Sequence, residues 1–185
     1  GYDQTGQVGG FRANVRDAEE QRRLEEEERI VKTEEVLDRL IAAAKAEYEA
    51  APTDRASIRR YIDRLLERGK PEDEKTARTV ALKAFEDTQE FAFKERANQI
   101  FLRAARRKRD KLRLAAEAPG ADERIKEDYE TFRRQLDEAE MKDLEERAAA
   151  YPSDLGIQFE LGRKYYDLGR WEEAIAKFQV AKSDP

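Results

Sequence analysis

The stretch LGIQFELGRKYYDLGRWEEAIAKFQVAKSDP, residues 155–185, decides the fold of this chain. Its apolar residues recur at intervals of three and four, which predicts two helices, and Gly169 is placed to end the first because a left-handed cap favours glycine. Gly162 and Ala174 are small enough to let the helices approach closely. Four larger side chains should bury area between the helices, each worth about 1.5–3 kcal/mol when fully buried: Leu161, Tyr165, Ile175 and Phe178.

An earlier stretch, APTDRASIRRYIDRLLERGKPEDE at 51–74, follows the same plan as residues 151–174. Four residues recur at an offset of 100: Pro52, Asp54, Gly69 and Glu72 stand opposite Pro152, Asp154, Gly169 and Glu172. A third proline turn, at Pro119, lies 67 residues after the first proline and 33 before the last. These intervals are close to two units and one unit of a repeat of about 34 residues.

With this period, residues 155–185 resemble a tetratricopeptide (TPR) repeat. The structural positions of that repeat are filled by Leu161, Gly162, Tyr165, Gly169, Ala174, Phe178 and Ala181, with Pro185 closing the unit. Gln158 departs from the pattern, because a TPR repeat usually has Trp there. Residues 55–88 resemble a degenerate copy, with small residues at Ala77, Ala81 and Ala84. The resemblance implies an all-α protein built as a right-handed array of antiparallel helix pairs, an alpha solenoid.

The rest of the sequence completes the predicted organisation. Residues 1–14 are rich in glycine and predict a flexible linker, and residues 15–185 predict a single TPR-like helical domain. Its parts are a leading helix at 15–50, the degenerate TPR at 53–88, a long helical hairpin at 91–150 with helices at about 91–117 and 122–150, and the TPR repeat at 153–185. The chain starts without Met or a signal pattern, so we expect a fragment of a longer, bacterial protein.

Composition disfavours most kinds of chemistry. The chain has no His and no Cys, so a His-based triad and a thiolate nucleophile are excluded, and zinc would need carboxylates alone. Its many carboxylates lie in exposed charge runs rather than in a pocket that separates their pKa values. We therefore expect no enzymatic activity, no metal and no cofactor. The longest wholly apolar run, LIAAA at 40–44, predicts no membrane span. The compartment stays open, with a cytoplasmic location favoured.

A basic segment at 103–113 admits three interpretations. Its seven cations are Arg103, Arg106, Arg107, Lys108, Arg109, Lys111 and Arg113. They can serve the fold, bind an acidic protein or bind nucleic acid. A structural role is favoured because acidic residues at 122–130 should face them across the hairpin, and because the net charge of the chain is -5. No nucleic-acid partner is expected.

The TPR resemblance also implies a concave surface that binds a peptide or a protein segment. Its inner-face positions are held here by Phe159, Arg163, Tyr166 and Asp167. Phe159 and Arg163 stand where carboxylate-clamp TPR proteins have Lys and Asn, so the clamp is not matched. Neighbouring helices that cover these residues are the competing interpretation, and Trp171 is expected to pack at the turn.

We therefore expect a non-enzymatic interaction scaffold. The alternative is a structural or self-assembly module that acts through the long hairpin or the leading helix. Pairing of two copies through the exposed end of the last repeat is also possible.

Overall fold

The computed structural model describes the backbone of residues 8–182 and the side chains of residues 21, 22, 24, 25 and 33–182. Within this range the protein consists of helices without strands, which confirms the all-α prediction. The helices are α1 (Val8–Ala50), α2 (Arg55–Arg68), α3 (Pro71–Thr88), α4 (Phe91–Glu117), α5 (Glu123–Ala150), α6 (Leu155–Asp167) and α7 (Trp171–Lys182). They divide into two compact units, residues 1–73 and 74–185.

The start of α1 differs from the sequence prediction. Residues 8–14, which we expected within a linker at 1–14, belong to the helix, and residues 1–7 lie outside the described residues. The glycines at 9 and 10 disfavour helix by up to about 1 kcal/mol each relative to Ala, but neither blocks helical dihedrals as Pro would. The glycine content therefore indicated a linker where the helix runs on.

In the first unit, the C-terminal part of α1 packs along the whole of α2. Ile41 and Ala44 are buried on α1, and the ring of Tyr48 stacks on that of Tyr61 with the ring centroids 5.6 Å apart. Ion pairs at both ends of the contact show that the helices run antiparallel, joining Glu47 to Arg60 and Asp38 to Arg68. The core of α2 consists of Ile58, Tyr61, Ile62 and Leu65.

Equivalent caps begin α2 and α6. The Asp54 side chain accepts a hydrogen bond from the Ser57 amide at 2.8 Å, and Asp154 accepts one from Ile157 at 3.0 Å. Such N-caps are worth about 1 kcal/mol. After each helix a glycine takes a positive φ, 69° at Gly69 and 72° at Gly169 in the second copy.

The repeat at an offset of 100 extends further than the sequence suggested. α1 and α5 end at Ala50 and Ala150, and the first residues of α3 and α7 are Pro71 and Trp171. Buried positions before the first proline also correspond in the alignment: Ile41 and Ala44 align with Met141 and Leu144. The correspondence in helix boundaries therefore runs from the ends of α1 and α5 to the starts of α3 and α7.

In the second unit, α4 and α5 form the antiparallel hairpin that the sequence predicted. Leu102, Ala105 and Leu136 form its apolar core, with Phe132 and Ala139 packed against it. Toward the N-terminal end of α4, the contact between α4 and α5 is polar. The Asn98 amide donates to Asp143 at 2.9 Å, and Lys94 pairs with Glu146 at 3.1 Å.

α4 also lies antiparallel to α3. Arg107 pairs with Glu74, and the Arg78 guanidinium lies 5.1 Å from the ring centroid of Phe101. Farther along, the Lys94 ammonium lies 5.7 Å from the ring centroid of Phe85. The N-terminal end of α3 thus lies beside the C-terminal half of α4, and the C-terminal end of α3 lies beside the start of α4.

The last three helices share one core: Met141, Leu144, Ala148, Ile157, Leu161, Tyr165 and Ala174. Gly162 permits the close approach that the sequence predicted, because a Cβ atom there would lie 2.7 Å from Cε1 of Phe178. The expectation that Ile175 is buried between the helices is wrong, since its side chain is 56% exposed. Ala174 takes the inward position, and each residue turns a helix by about 100°, so Ile175 points away.

Candidate interaction surface

Helices α6 and α7 leave apolar side chains uncovered on the side away from α5. α6 turns Ile157, Leu161 and Tyr165 into the core that it shares with α5. Its other apolar side carries Phe159 and Tyr166, which are 52% and 56% exposed. On α7, Trp171 and Ile175 are each 56% exposed.

Ring contacts join these side chains across the two helices. Tyr166 meets Trp171 edge to face with the ring centroids 4.9 Å apart, and the Phe159 ring lies 5.5 Å from that of the half-buried Phe178. These two ring pairs and Ile175, which lies one turn from Trp171 and from Phe178 on α7, are called here the aromatic face: Phe159, Tyr166, Trp171, Ile175 and Phe178.

The size of the aromatic face is that of a functional patch. Phe, Tyr and Trp side chains bury about 150–250 Å² each when covered, so three of them left half exposed beside Ile175 present roughly 350–450 Å². The largest apolar patch on a typical monomer measures about 300–600 Å² and is often functional. The face is thus large enough to bind a partner.

The structure brings together three of the four residues that the sequence singled out. Phe159, Arg163 and Tyr166 are spaced by four and three, so they share one side of α6, and all three are exposed. Asp167 is also exposed but lies a further 100° around the helix. Sequence reasoning missed that Trp171 continues this surface onto α7.

The turn between the helices is fixed by a polar cluster next to the face. The Arg170 Nε donates to Glu173 at 2.5 Å, and its guanidinium lies 4.2 Å from the ring centroid of Tyr165. The Tyr165 hydroxyl donates to Glu145 at 3.0 Å. Burial, with this hydrogen bond, raises the pKa of Tyr165, and the hydrogen bond from Arg170 lowers the pKa of Glu173. The cluster holds the start of α7, where Trp171 lies.

Gln158, the departure from the TPR pattern, links three helices. It is 2% exposed, and its amide donates to the Ala148 carbonyl at 2.9 Å. Its oxygen accepts a hydrogen bond from Lys177 at 3.0 Å. Both ends of the buried amide are thus satisfied, by α5 and by α7, which keeps the cost of burying it low. The sequence carried no signal for this link beyond the unusual residue.

The basic segment of α4 is largely engaged within the fold. Arg106 pairs with Glu140 at 2.7 Å, Arg107 with Glu74, and the Lys108 ammonium lies 4.5 Å from the ring centroid of Phe132. Two further arginines pair within their own helix, Arg109 with Asp110 and Arg113 with Glu117. These pairs use acids other than those expected at 122–130, and they support the structural interpretation.

Other kinds of site find little support in the described part of the chain. There, no cluster of three or more acidic residues is arranged to hold a metal ion, and no helix is long and apolar enough to cross a membrane. A cleft of about 360 Å³ lies between α5 and the α6–α7 turn and is lined by Met141, Leu168 and charged side chains of both signs.

Comparisons of the chain with protein-family models, with curated proteins and with solved structures gave no match.

Proposed function

We propose that this protein is a non-enzymatic interaction scaffold of the TPR-like kind, which binds a peptide or a protein segment through the aromatic face. The observation that carries the proposal is the grouping of exposed apolar side chains on α6 and α7. Phe159, Tyr166, Trp171 and Ile175 are more than half exposed, and two ring pairs, Tyr166–Trp171 and Phe159–Phe178, each join the two helices.

The chemistry of the face suits recognition. Tyr, Trp and Arg are enriched among the residues that contribute most to binding at interfaces, and the face combines the first two with Arg163 at its edge. Rings held by their neighbours lose little conformational freedom when a partner covers them. Arg163 is placed to bind a carboxylate or a backbone carbonyl of the bound segment.

Selection from a random peptide library against the purified chain tests the proposal. The test variant is Phe159→Ala/Tyr166→Ala/Trp171→Ala, which removes the three exposed rings of the face. The matched control is Val36→Ala/Leu40→Ala, which removes exposed apolar side chains from α1 in the other unit.

Selected peptides should bind the wild type and the control equally and lose at least about tenfold in affinity for the test variant, equivalent to about 1.4 kcal/mol. Circular dichroism should show the same helicity for all three proteins. If the selected peptides bind the test variant as tightly as the wild type, the aromatic face is not the binding surface and the proposal fails.

A further inference from the structure

A cavity of about 320 Å³ lies between α3, α4 and α5, within residues 74–185. Its apolar lining consists of Phe101, Leu102 and Ala139. Small-ligand sites measure about 300–1,000 Å³ and combine apolar walls with a few polar groups, so this cavity has room for a small molecule. It shares no residue with the aromatic face, and a ligand bound here would add a second site to the proposed scaffold.

Two side-chain oxygen atoms at the cavity are available to accept hydrogen bonds. The Asn98 amide nitrogen donates to Asp143 Oδ1 at 2.9 Å and to Glu146 Oε2 at 3.4 Å, which orients the Asn98 oxygen away from both carboxylates. Neither Asn98 Oδ1 nor Asp143 Oδ2 accepts a hydrogen bond from the described residues. Asp143 is only 9% exposed, and a buried carboxylate is costly unless it is paired. These oxygens therefore suit a small cationic donor such as an ammonium group.

Two cations that line the same cavity have no acidic partner in the part of the chain that the structure describes. They are Arg78 of α3, whose guanidinium lies over the Phe101 ring, and Lys142 of α5. The third cation of the cavity, Lys94, pairs with Glu146 at 3.1 Å. Arg78 and Lys142 suit a carboxylate, because hydrogen bonds between ionised groups are about twice as strong as those between neutral groups.

We propose that this cavity binds a free amino acid with an apolar side chain. The ammonium group of the ligand donates to Asp143 Oδ2 and Asn98 Oδ1. Its carboxylate accepts from Lys142 and Arg78, and its side chain packs against the apolar lining. One zwitterion satisfies both sets of groups, whereas a simple anion would leave the Asp143 carboxylate unpaired and a simple cation would leave Arg78 and Lys142 unpaired.

The probes are L-leucine and, as a second member of the class, L-phenylalanine. Two leucine analogues separate the two charges, since isocaproate lacks the ammonium group and isoamylamine lacks the carboxylate. Binding to the full chain is followed by two-dimensional NMR of its amide groups, in which the side-chain amide of Asn98 reports from the cavity. Both amino acids should shift this signal and saturate, with dissociation constants on the order of 1 mM. Each analogue should bind at least about tenfold more weakly than leucine.

Two variants assign the two charges to their side chains. Asp143→Asn should weaken leucine at least about tenfold and bind isocaproate no more weakly than the wild type. Lys142→Met should weaken leucine at least about threefold and leave the affinity for isoamylamine unchanged. The matched control is Lys111→Met, which removes an exposed lysine of α4 outside the cavity and should bind leucine as the wild type does. Circular dichroism should show the same helicity for all four proteins.

Each contrary result has a distinct meaning. Equal binding of leucine and isoamylamine by the wild type would show a site for a cation, and equal binding of leucine and isocaproate a site for an anion, and either result overturns the inference. An equal loss of leucine binding in Lys111→Met and Lys142→Met would show general electrostatic attraction and overturn it as well. An Asn98 signal that neither amino acid shifts also overturns the inference. The proposed function is judged separately by the library selection against the aromatic face.

Discussion

Replacing Gly162 by alanine tests the close packing of α6 on α7. In a helix interior, Gly→Ala ordinarily stabilises a protein by about 0.5–1 kcal/mol. Here the added Cβ would lie 2.7 and 2.8 Å from two ring atoms of Phe178 and 3.2 Å from Cβ of Lys177. Forcing an extra methyl group into a packed contact costs about 1–3 kcal/mol. We expect the cost to exceed the gain, with a net loss of about 1 kcal/mol.

Urea unfolding followed by circular dichroism measures this loss. The partner variant Phe178→Leu shortens the side chain that the new Cβ meets, so Gly162→Ala/Phe178→Leu should be more stable than the sum of the single changes predicts, by at least about 0.5 kcal/mol. Gly156→Ala is the matched control, since its Cβ would meet only the Asp154 side chain, at 3.2 Å. A Gly162→Ala protein more stable than the wild type would refute the packing argument.

Three further predictions concern polar groups. Arg68 hydrogen-bonds Asp73 at 2.5 and 2.7 Å and lowers the pKa of that carboxyl, so its contribution to stability is present above about pH 4 and is lost as the pH falls through the lowered pKa. Asp73→Asn should therefore lower the free energy of unfolding by about 1–3 kcal/mol at pH 7 and flatten its dependence on pH below 4, as measured by urea titration across pH. Gln158→Leu should cost about 1–3 kcal/mol, because it leaves a buried carbonyl and a lysine without their partner; a surface change, Glu160→Ala, should stay within about 0.5 kcal/mol. Tyr165→Phe should cost about 0.5–1.5 kcal/mol by removing the hydrogen bond to Glu145, and the wild type, in which burial raises the pKa of Tyr165, should lose stability above about pH 10 more steeply than this variant. A variant with an unchanged unfolding midpoint would contradict the role assigned to that residue.

Helix boundaries were predictable where the chemistry of a helix end is local. Asp54 and Asp154 cap their helices with their own side chains, and Gly69 and Gly169 provide the positive φ that follows. Such signals depend on neighbours within a few residues, so the sequence alone carries them. In the sequence, Gln7 precedes Val8 where Ser, Thr, Asp or Asn would signal a cap, so the predicted start of α1 was wrong.

The side of α7 that is buried was harder to predict, because the sequence does not say which of its apolar residues turn toward the core. Trp171, Ala174, Ile175 and Phe178 are all apolar, and periodicity alone allows either side to be the core. The approach of α6 at Gly162 selects the side with Ala174, which leaves Ile175 outside.

The candidate site divides in the same way. Phe159 and Tyr166 were predictable from their positions within one helix. The contact of Tyr166 with Trp171 depends on how two helices pack, which the sequence does not give. The ion pairs of the basic segment also escaped prediction, because the length of a hairpin does not fix which residue lies opposite Arg106.

Because the helix boundaries around α3 recur around α7, α3 could compete with α7 for α6 while the chain folds. The hydrogen bond between Gln158 and Lys177 disfavours this exchange. At the same positions the first copy holds Ile58 and Ala77, both fully buried. If α3 took the place of α7 on α6, Ala77 would stand where the Gln158 amide oxygen accepts a hydrogen bond from Lys177. One hydrogen bond thus favours the pairing of α6 with α7 over the pairing of α6 with α3.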